Sequence, residues 1–197
     1  MELLDAGRSI LVVIDLQGKL MDVIHRPRVV IESTLRLMRL AELFGVPVIL
    51  TEQYPKGLGP THPEVMAGFE ALTIPKRSLA KTSFGCCGEP SFLQALDELR
   101  PRLGSGPRQV VVAGIEAHVC VMQTVLELIQ RGNQAHVSWD AVSGRGEEYR
   151  RHALERMAAA DAAITNHESV GFEWARDKSH PRFKELSNLL KDGQPEE

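Results

Sequence analysis

Short runs of consecutive apolar, β-branched residues alternate along the chain with longer segments of helical periodicity. The runs SILVVIDL (Ser9–Leu16) and QVVVAG (Gln109–Gly114) lack the polar alternation of a strand that faces water on one side. Continuous apolar strands of this kind are typical of a parallel sheet covered by helices on both faces. We therefore predict a single α/β domain over residues 1–197, with three layers, α/β/α, around a mainly parallel sheet.

The other elements follow from the same periodicities. Further strands are predicted at Val46–Thr51, Leu72–Lys76, Gln134–Trp139 and Ala162–Thr165. Helices are predicted at Pro27–Phe44, Glu89–Leu103, Glu147–Ala159, His167–Arg176 and Pro181–Lys191, and one more ends at Arg131. The Gly- and Pro-rich stretch YPKGLGPTHPEV (54–65) is predicted to be a long loop, and the tail DGQPEE (192–197) is expected to be disordered.

Composition and charge narrow the class of protein. The 197 residues are 43% hydrophobic and 25% charged, with a formal net charge of −3. This charge gives no electrostatic footprint for nucleic acid or an anionic membrane surface, and no apolar run approaches the ~20 residues of a membrane span. The three cysteines do not form a regular disulfide framework, so we expect reduced thiols and a cytoplasmic protein without nucleic-acid or membrane partners.

Polar residues stand at the carboxyl ends of the predicted strands, where the ligands of an open parallel sheet collect. In chain order they are Asp15 and Gln17, Glu52 and Gln53, Lys81, the segment GIEAHVC (114–120) and Asp140. This placement predicts that an acid, a lysine and a cysteine meet at one edge of the sheet.

Each of these three residues also fits an ordinary structural role. The pattern around Asp15 is typical of a carboxylate that caps a turn, and equally of a general acid or base beside an apolar core. Lys81 alone fits a solvated surface lysine, and Cys120 alone fits a small core residue. Cys120, however, follows a buried strand at the start of a helix, where first-turn N–H groups are expected to lower the pKa of its thiol and stabilise an oxyanion.

The sequence motifs of metal and phosphate sites are missing. There is no H-E-x-x-H, no paired C-x-x-C, no G-x-x-x-x-G-K-[ST] and no G-x-G-x-x-G after the first strand. We therefore predict no metal and no cofactor. His118 is a candidate partner of Cys120, although neighbouring side chains on a turn usually diverge. Cys86 and Cys87 are interpreted as incidental or pocket-lining.

Four short motifs together resemble the isochorismatase-like hydrolase family, in particular its small cysteine hydrolases. They are VVIDLQ (12–17), TEQYPKGLGPT (51–61), KTSFGC (81–86) and GIEAHVCV (114–121), and the similarity extends through HPRFKEL (180–186). The resemblance implies a Rossmann-like fold and a catalytic triad of Asp15, Lys81 and Cys120. It also implies a cis peptide bond between Ile115 and Glu116, which would let the N–H groups of Glu116 and Cys120 form an oxyanion hole.

Two departures from the family pattern bear on the reaction. The nicotinamidase branch binds a metal through an Asp-x-His cluster after the second strand, where this chain has Glu52, Gln53 and Tyr54. Neither a metal nor nicotinamide is therefore implied. True isochorismatases lack the cysteine, so Cys120 argues against hydrolysis of a vinyl ether.

The resulting hypothesis is a cysteine hydrolase of a small-molecule amide or carbamoyl group, acting through a thioester. Gln17, Glu52, Gln53 and Tyr54 are candidates for lining its substrate pocket. Two alternatives stay open: a thiol redox or exchange protein centred on Cys120, and a non-catalytic interaction module that keeps the fold. Because proteins of this family commonly associate, a homo-oligomer is expected.

Overall fold

The computed structural model describes residues 2–99 and 106–191. Six parallel strands form one sheet in the order β3-β2-β1-β4-β5-β6. They are β1 (Ser9–Ile14), β2 (Val48–Gln53), β3 (Lys76–Lys81), β4 (Gln109–Gly114), β5 (Gln134–Val142) and β6 (Ala163–Thr165). The predicted single-domain, three-layer fold is confirmed. The strand order is that of a doubly wound Rossmann-type sheet: successive strands are added on one side of β1 up to β3 and on its other side from β4 onwards. The tail 192–197, predicted to be disordered, lies outside the described residues.

Helices cover both faces of the sheet. They are α1 (Gly18–Met21), α2 (Pro27–Phe44), α3 (Pro55–Leu58), α4 (Pro63–Glu70), α5 (Pro90–Glu98), α6 (Met122–Gln130), α7 (Glu147–Ala159), α8 (His167–Ala175) and α9 (Phe183–Lys191). Short 3₁₀ turns occur at Ala6–Arg8 and Cys86–Gly88, and a π-helical turn at Ala117–Val121. In the part of the chain that the structure describes, no helix combines the length and the apolar character needed to cross a bilayer.

The central strand β1 shows why its apolar run is continuous. Leu11 and Val13 pack into the core formed with α2, α4, α8 and α9. Ile10, Val12 and Ile14 pack into the core formed with α5, α6 and α7. All five side chains are completely buried, so both faces of the strand need apolar residues.

Two predicted elements are wrong. The stretch 54–65 is not one long loop, because α3 occupies Pro55–Leu58 and α4 begins at Pro63. Each of these helices begins with proline, whose fixed φ suits the first helical position. The third strand is Lys76–Lys81 rather than Leu72–Lys76. It lies at the edge of the sheet and has an exposed, charged first half, so the apolar signal of a buried strand is weak there.

The remaining differences concern element boundaries. Strand β5 runs three residues beyond the predicted end at Trp139, and α5 ends at Glu98 rather than Leu103. Residues 100–105 lie outside the described part of the chain. The short helix α1 was not predicted, since its four residues are too few for a periodic signal.

Gly114 allows β4 to approach β1 at the carboxyl edge of the sheet. Its φ is 131°, and a Cβ atom at this position would lie 2.1 Å from the carbonyl oxygen of Ile14. Both the positive φ and the short distance exclude a side chain. The segment between β4 and Cys120 therefore starts from a backbone position that only glycine can occupy.

We expect Gly114→Ala to lower the free energy of unfolding by roughly 3 kcal/mol or more, because the backbone must move away from both constraints. Urea denaturation measures this change. Gly18→Ala is the matched control, since a Cβ at Gly18 meets no atom within 4 Å and should leave stability unchanged or slightly higher. Equal stability of the two variants would contradict the close approach of β4 to β1.

Candidate active site

Three strands bring Asp15, Lys81 and Cys120 to one edge of the sheet. Asp15 directly follows β1 and has a φ of 54°, a left-handed conformation that aspartate tolerates better than most residues. Lys81 is the last residue of β3, and Cys120 lies in the π-helical turn after β4. The three residues are 0%, 4% and 6% exposed. The acid, the lysine and the cysteine predicted from the strand ends are thus brought together in a buried site.

The Asp15 carboxylate is held at both oxygens. Oδ2 lies 2.6 Å from Nζ of Lys81, and both side chains are buried. Oδ1 accepts a hydrogen bond of 2.7 Å from the hydroxyl of Thr51, which lies beside it on β2. The ion pair compensates a carboxylate that has no contact with bulk water, and the hydroxyl fixes its orientation.

Lys81 has three further acceptors around its ammonium group. Nζ lies 2.7 Å from Oε1 of Gln53 and donates to the backbone carbonyls of Ser83 and Phe84 at 3.1 and 3.0 Å. Burial lowers the pKa of Lys81, but the negative charge of Asp15 outweighs this effect. The pKa of Lys81 is therefore raised above its ordinary value, and the side chain stays cationic.

The Asp15 carboxylate lies close enough to the Cys120 thiol to shift the pKa of that thiol. Burial and the charge of Asp15 raise the pKa of Cys120 to about 12, and the opposing effect of Lys81 is smaller. The expectation that helix N–H groups favour the thiolate is therefore wrong. Cys120 lies inside the π-helical turn, two residues before α6 begins, so the apolar burial of the sulfur decides its pKa. The resting thiol is protonated.

A second thiol, Cys86, which the sequence analysis interprets as incidental or pocket-lining, lies beside the triad. Its Sγ lies 4.0 Å from the Thr51 hydroxyl that binds Asp15. Its N–H donates to the hydroxyl of Thr124, which in turn donates to the carbonyl of Cys120. Burial raises the pKa of Cys86 to about 12, so this thiol is also protonated.

The four predicted pocket residues differ in what their side chains contact. Gln17 and Glu52 fix the segment that follows β2. The side-chain amide of Gln17 donates to the carbonyl of Gly59, and Glu52 accepts from the N–H and hydroxyl of Thr61. Gln53 contacts Lys81 through its side-chain oxygen. Tyr54 has a left-handed backbone and is 55% exposed. Gln53 is therefore the one of the four whose side chain touches the triad directly.

The segment between β4 and Cys120 is anchored to the end of β5. The peptide bond between Ile115 and Glu116 is cis, as the resemblance implied. The N–H of Ala117 donates to the carbonyl of Ser143, and the carboxylate of Glu116 pairs with Arg145 at 2.9 Å. Among the described residues, none accepts a hydrogen bond from the N–H of Glu116.

Histidines take no part in the triad. His118 stacks on the ring of Tyr149, with the ring centroids 4.7 Å apart, and its Nε2 lies 3.9 Å from the carboxylate of Glu116. The hypothesis of a Cys–His pair is therefore wrong. Within residues 2–99 and 106–191, no group of three or more His, Cys, Asp or Glu side chains is arranged to hold a metal ion.

Comparisons with known proteins place this chain in a family. Human isochorismatase domain-containing protein 2 is 41% identical over 191 residues, covering 96% of this chain and 86% of the relative. The MAR1 ribonuclease from Caenorhabditis elegans has a TM-score of 0.88 at 35% identity, covering 99% of this chain and 95% of that one. The YcaC gene product from Escherichia coli, an octameric hydrolase of unknown specificity, has a TM-score of 0.80 at 26% identity, covering 96% and 95%. Since residues 9–169 also match the Isochorismatase domain, the chain belongs to the isochorismatase family.

Proposed function

We propose that this protein is a cysteine-dependent hydrolase that cleaves the C–N bond of a small-molecule amide or carbamoyl group. One observation carries the proposal: the buried Cys120 thiol, whose pKa is raised to about 12, lies close to the Asp15 carboxylate, which forms an ion pair with Lys81. A thiol with a pKa of about 12 becomes a nucleophile at neutral pH only if a base removes its proton during attack. Asp15 is proposed to be that base.

In the proposed reaction, Asp15 accepts and then donates a proton in both steps, formation of the thioester and its hydrolysis. The carboxylate takes the thiol proton while Sγ of Cys120 attacks the carbonyl carbon and forms the C–S bond. The proton then passes to the leaving nitrogen, the C–N bond breaks and the amine departs, leaving a thioester. Water attacks the thioester with Asp15 as base, the C–S bond breaks, and the proton returns to the sulfur.

Backbone and neighbouring groups support these steps. The N–H groups of Glu116 and Cys120 are proposed to hold the oxyanion, and the unsatisfied N–H of Glu116 fits this role. Lys81 balances the charge that shifts between carboxylate and sulfur. Gln53 and Tyr54, with Gln17 and Glu52 holding their segment in place, are proposed to border the substrate.

Two other functions fit the site less well. Redox-active cysteines are usually accessible and have low pKa values, whereas Cys120 is 6% exposed and its pKa is raised. The C. elegans relative is described as a ribonuclease. A formal charge of −3 does not favour binding of a polyanion, so we propose a small-molecule substrate.

The test is a screen of small amides, carbamates and nicotinamide for release of ammonia or amine, with Cys120→Ala as the matched control. We expect turnover by the native protein that persists with a metal chelator, and a mass increase at Cys120 equal to the acyl group in rapidly quenched samples. Parallel incubation with single-stranded RNA tests the alternative. Cleavage of RNA without turnover of any amide, or activity that survives Cys120→Ala, would refute the proposal.

The compartment proposed for this chemistry is the cytoplasm. All three cysteines are unpaired and buried. Free thiols persist in a reducing compartment, which supports this proposal.

We also predict that the protein is a homo-oligomer. Strand β6 is an edge of the sheet, and the exposed apolar residues Leu3, Trp139, Ile164 and Phe172 lie around adjoining concavities beside it. An apolar patch at a sheet edge is typical of an interface, and the E. coli relative is octameric. Sedimentation at micromolar concentration should show an oligomer that Ile164→Lys weakens. A monomer under these conditions would contradict the prediction.

A further inference from the structure

The segment 82–84 directly follows Lys81 and folds back over its side chain. The carbonyl groups of Ser83 and Phe84 accept hydrogen bonds from Nζ of Lys81 at 3.1 and 3.0 Å. Lys81 is 4% exposed, whereas Phe84 is 56% exposed and Thr82 also faces solvent. Apolar burial therefore contributes little to holding this segment in place, and polar contacts are expected to hold it.

The carboxylate of Glu89 binds this segment. Its Oε1 atom accepts from the backbone N–H groups of Thr82 and Ser83 at 2.8 and 2.9 Å. The same atom accepts from the hydroxyl of Ser83 at 2.8 Å and from that of Thr82 at 3.3 Å. The N–H groups of Ser83 and Thr82, followed by the Ser83 hydroxyl, lower the pKa of Glu89 to about 2. The carboxylate is therefore ionised at neutral pH, and hydrogen bonds to a charged acceptor are the stronger kind.

The Glu89 side chain does not cap the helix that it precedes. Glu89 is the N-cap residue of α5, a position where a side-chain oxygen usually accepts from an N–H group of the first turn. Within the described part of the chain, its side chain makes no such bond to α5. The carboxylate binds the segment 82–84 instead, and no step of the proposed hydrolysis uses it.

Gln53 holds the same segment from β2. Its side-chain nitrogen donates to the carbonyl of Thr82 at 2.8 Å, while its side-chain oxygen accepts from Nζ of Lys81 at 2.7 Å. Thr82 is thus fixed at its carbonyl by Gln53 and at its N–H by Glu89. The acceptors that surround the Lys81 ammonium group besides Asp15 therefore lie on Gln53 itself or on the segment that Gln53 and Glu89 hold.

We infer that Glu89 is a positioning residue for Lys81: it holds the segment whose carbonyls bind the ammonium group, and so keeps that group beside Asp15. This role rests on the proposed function, in which Lys81 balances the charge that shifts between carboxylate and sulfur. Without the Glu89 carboxylate, the two carbonyls are free to move away, water reaches Nζ of Lys81, and the ion pair of 2.6 Å with Asp15 loosens.

NMR of the lysine ammonium groups in the full chain tests this role without a substrate. The Nζ protons of a buried, hydrogen-bonded lysine exchange slowly with water, so Lys81 should give a signal that Lys81→Met removes. Glu89→Ala should accelerate this exchange by about tenfold or more, the factor expected for the loss of one hydrogen bond to a charged group. Glu89→Gln keeps an oxygen acceptor and should retain most of the protection. Glu98→Ala is the matched control, since it removes a carboxylate of α5 that pairs with Arg77 on the surface.

Turnover of the best amide substrate gives a second readout. Glu89→Ala should lower kcat by up to ~10²-fold with KM nearly unchanged, because Lys81 balances charge that develops during attack and does not bind the substrate. Glu89→Gln should restore most of the loss. A purely structural role of Glu89 would lower the urea midpoint without this split between kcat and KM.

Unchanged exchange of the Lys81 protons in Glu89→Ala would overturn the inference, even if the urea midpoint fell, and so would an unchanged kcat. Equal acceleration of the exchange in Glu98→Ala would also overturn it. A native protein without a slowly exchanging Lys81 signal would contradict the enclosed ammonium group itself. If the exchange responds as expected but the native protein turns over no amide, the hold of Glu89 on Lys81 stands and the proposed hydrolysis fails.

Discussion

Asp15→Asn is expected to reduce turnover by roughly 10²–10⁴-fold while the protein stays folded. The amide has nearly the same shape as the carboxylate but cannot accept and return a proton. Asparagine also tolerates the left-handed backbone at this position, where φ is 54°. Steady-state kcat with the best amide substrate measures the loss, and circular dichroism checks the fold. Asp22→Asn, an identical change at an exposed position, is the matched control.

The same variant should make the thiol more reactive. The charge of Asp15 raises the pKa of Cys120, so its removal should bring that pKa below about 12. Alkylation of Cys120 by iodoacetamide, followed by peptide mapping, should then begin at lower pH than in the native protein. Loss of turnover together with a more reactive thiol identifies Asp15 as the base. Unchanged turnover would contradict that role, whatever happens to the thiol.

Much of this site follows from strand ends. A continuous apolar strand that stops at an acid, and a second one followed by the segment with Cys120, predict that both residues lie at the carboxyl edge of one sheet. The contact between Thr51 and Asp15 could have been predicted from the same reasoning about strand ends. It is registered beside Ile14 in the parallel β1–β2 pair, which brings its hydroxyl to Asp15. Predicting the order of the strands in the sheet would have identified Thr51 as a neighbour of Asp15.

Other features depend on packing that no local pattern contains. The raised pKa of Cys120 results from the depth of burial and from the π-helical turn, and neither has a signature in the residues 114–121. Cys86 reaches the triad because the Cys86–Gly88 turn packs on Thr124 of α6, a contact between positions 38 residues apart.

Lys81→Met is expected to lower the free energy of unfolding by about 3–5 kcal/mol, because it leaves the buried Asp15 carboxylate without a cation. Methionine keeps most of the length and apolar volume of the stem, so the lost charge is the main change. Arg77→Met is the matched control on the same strand. Arg77 pairs with Glu98 on the surface, and such pairs contribute about 0–1 kcal/mol. Urea denaturation of both variants gives the comparison.

Lys81→Met should also change the thiol in the direction opposite to Asp15→Asn. The positive charge of Lys81 lowers the pKa of Cys120, so without it the pKa rises further and alkylation moves to higher pH. Turnover should fall as well, since the charge that develops during attack loses its compensation. Opposite shifts in the two variants require that both charges act on one sulfur. Shifts in the same direction, or none in either variant, would show that the three residues do not work as a unit, and the hydrolytic mechanism would lose its base.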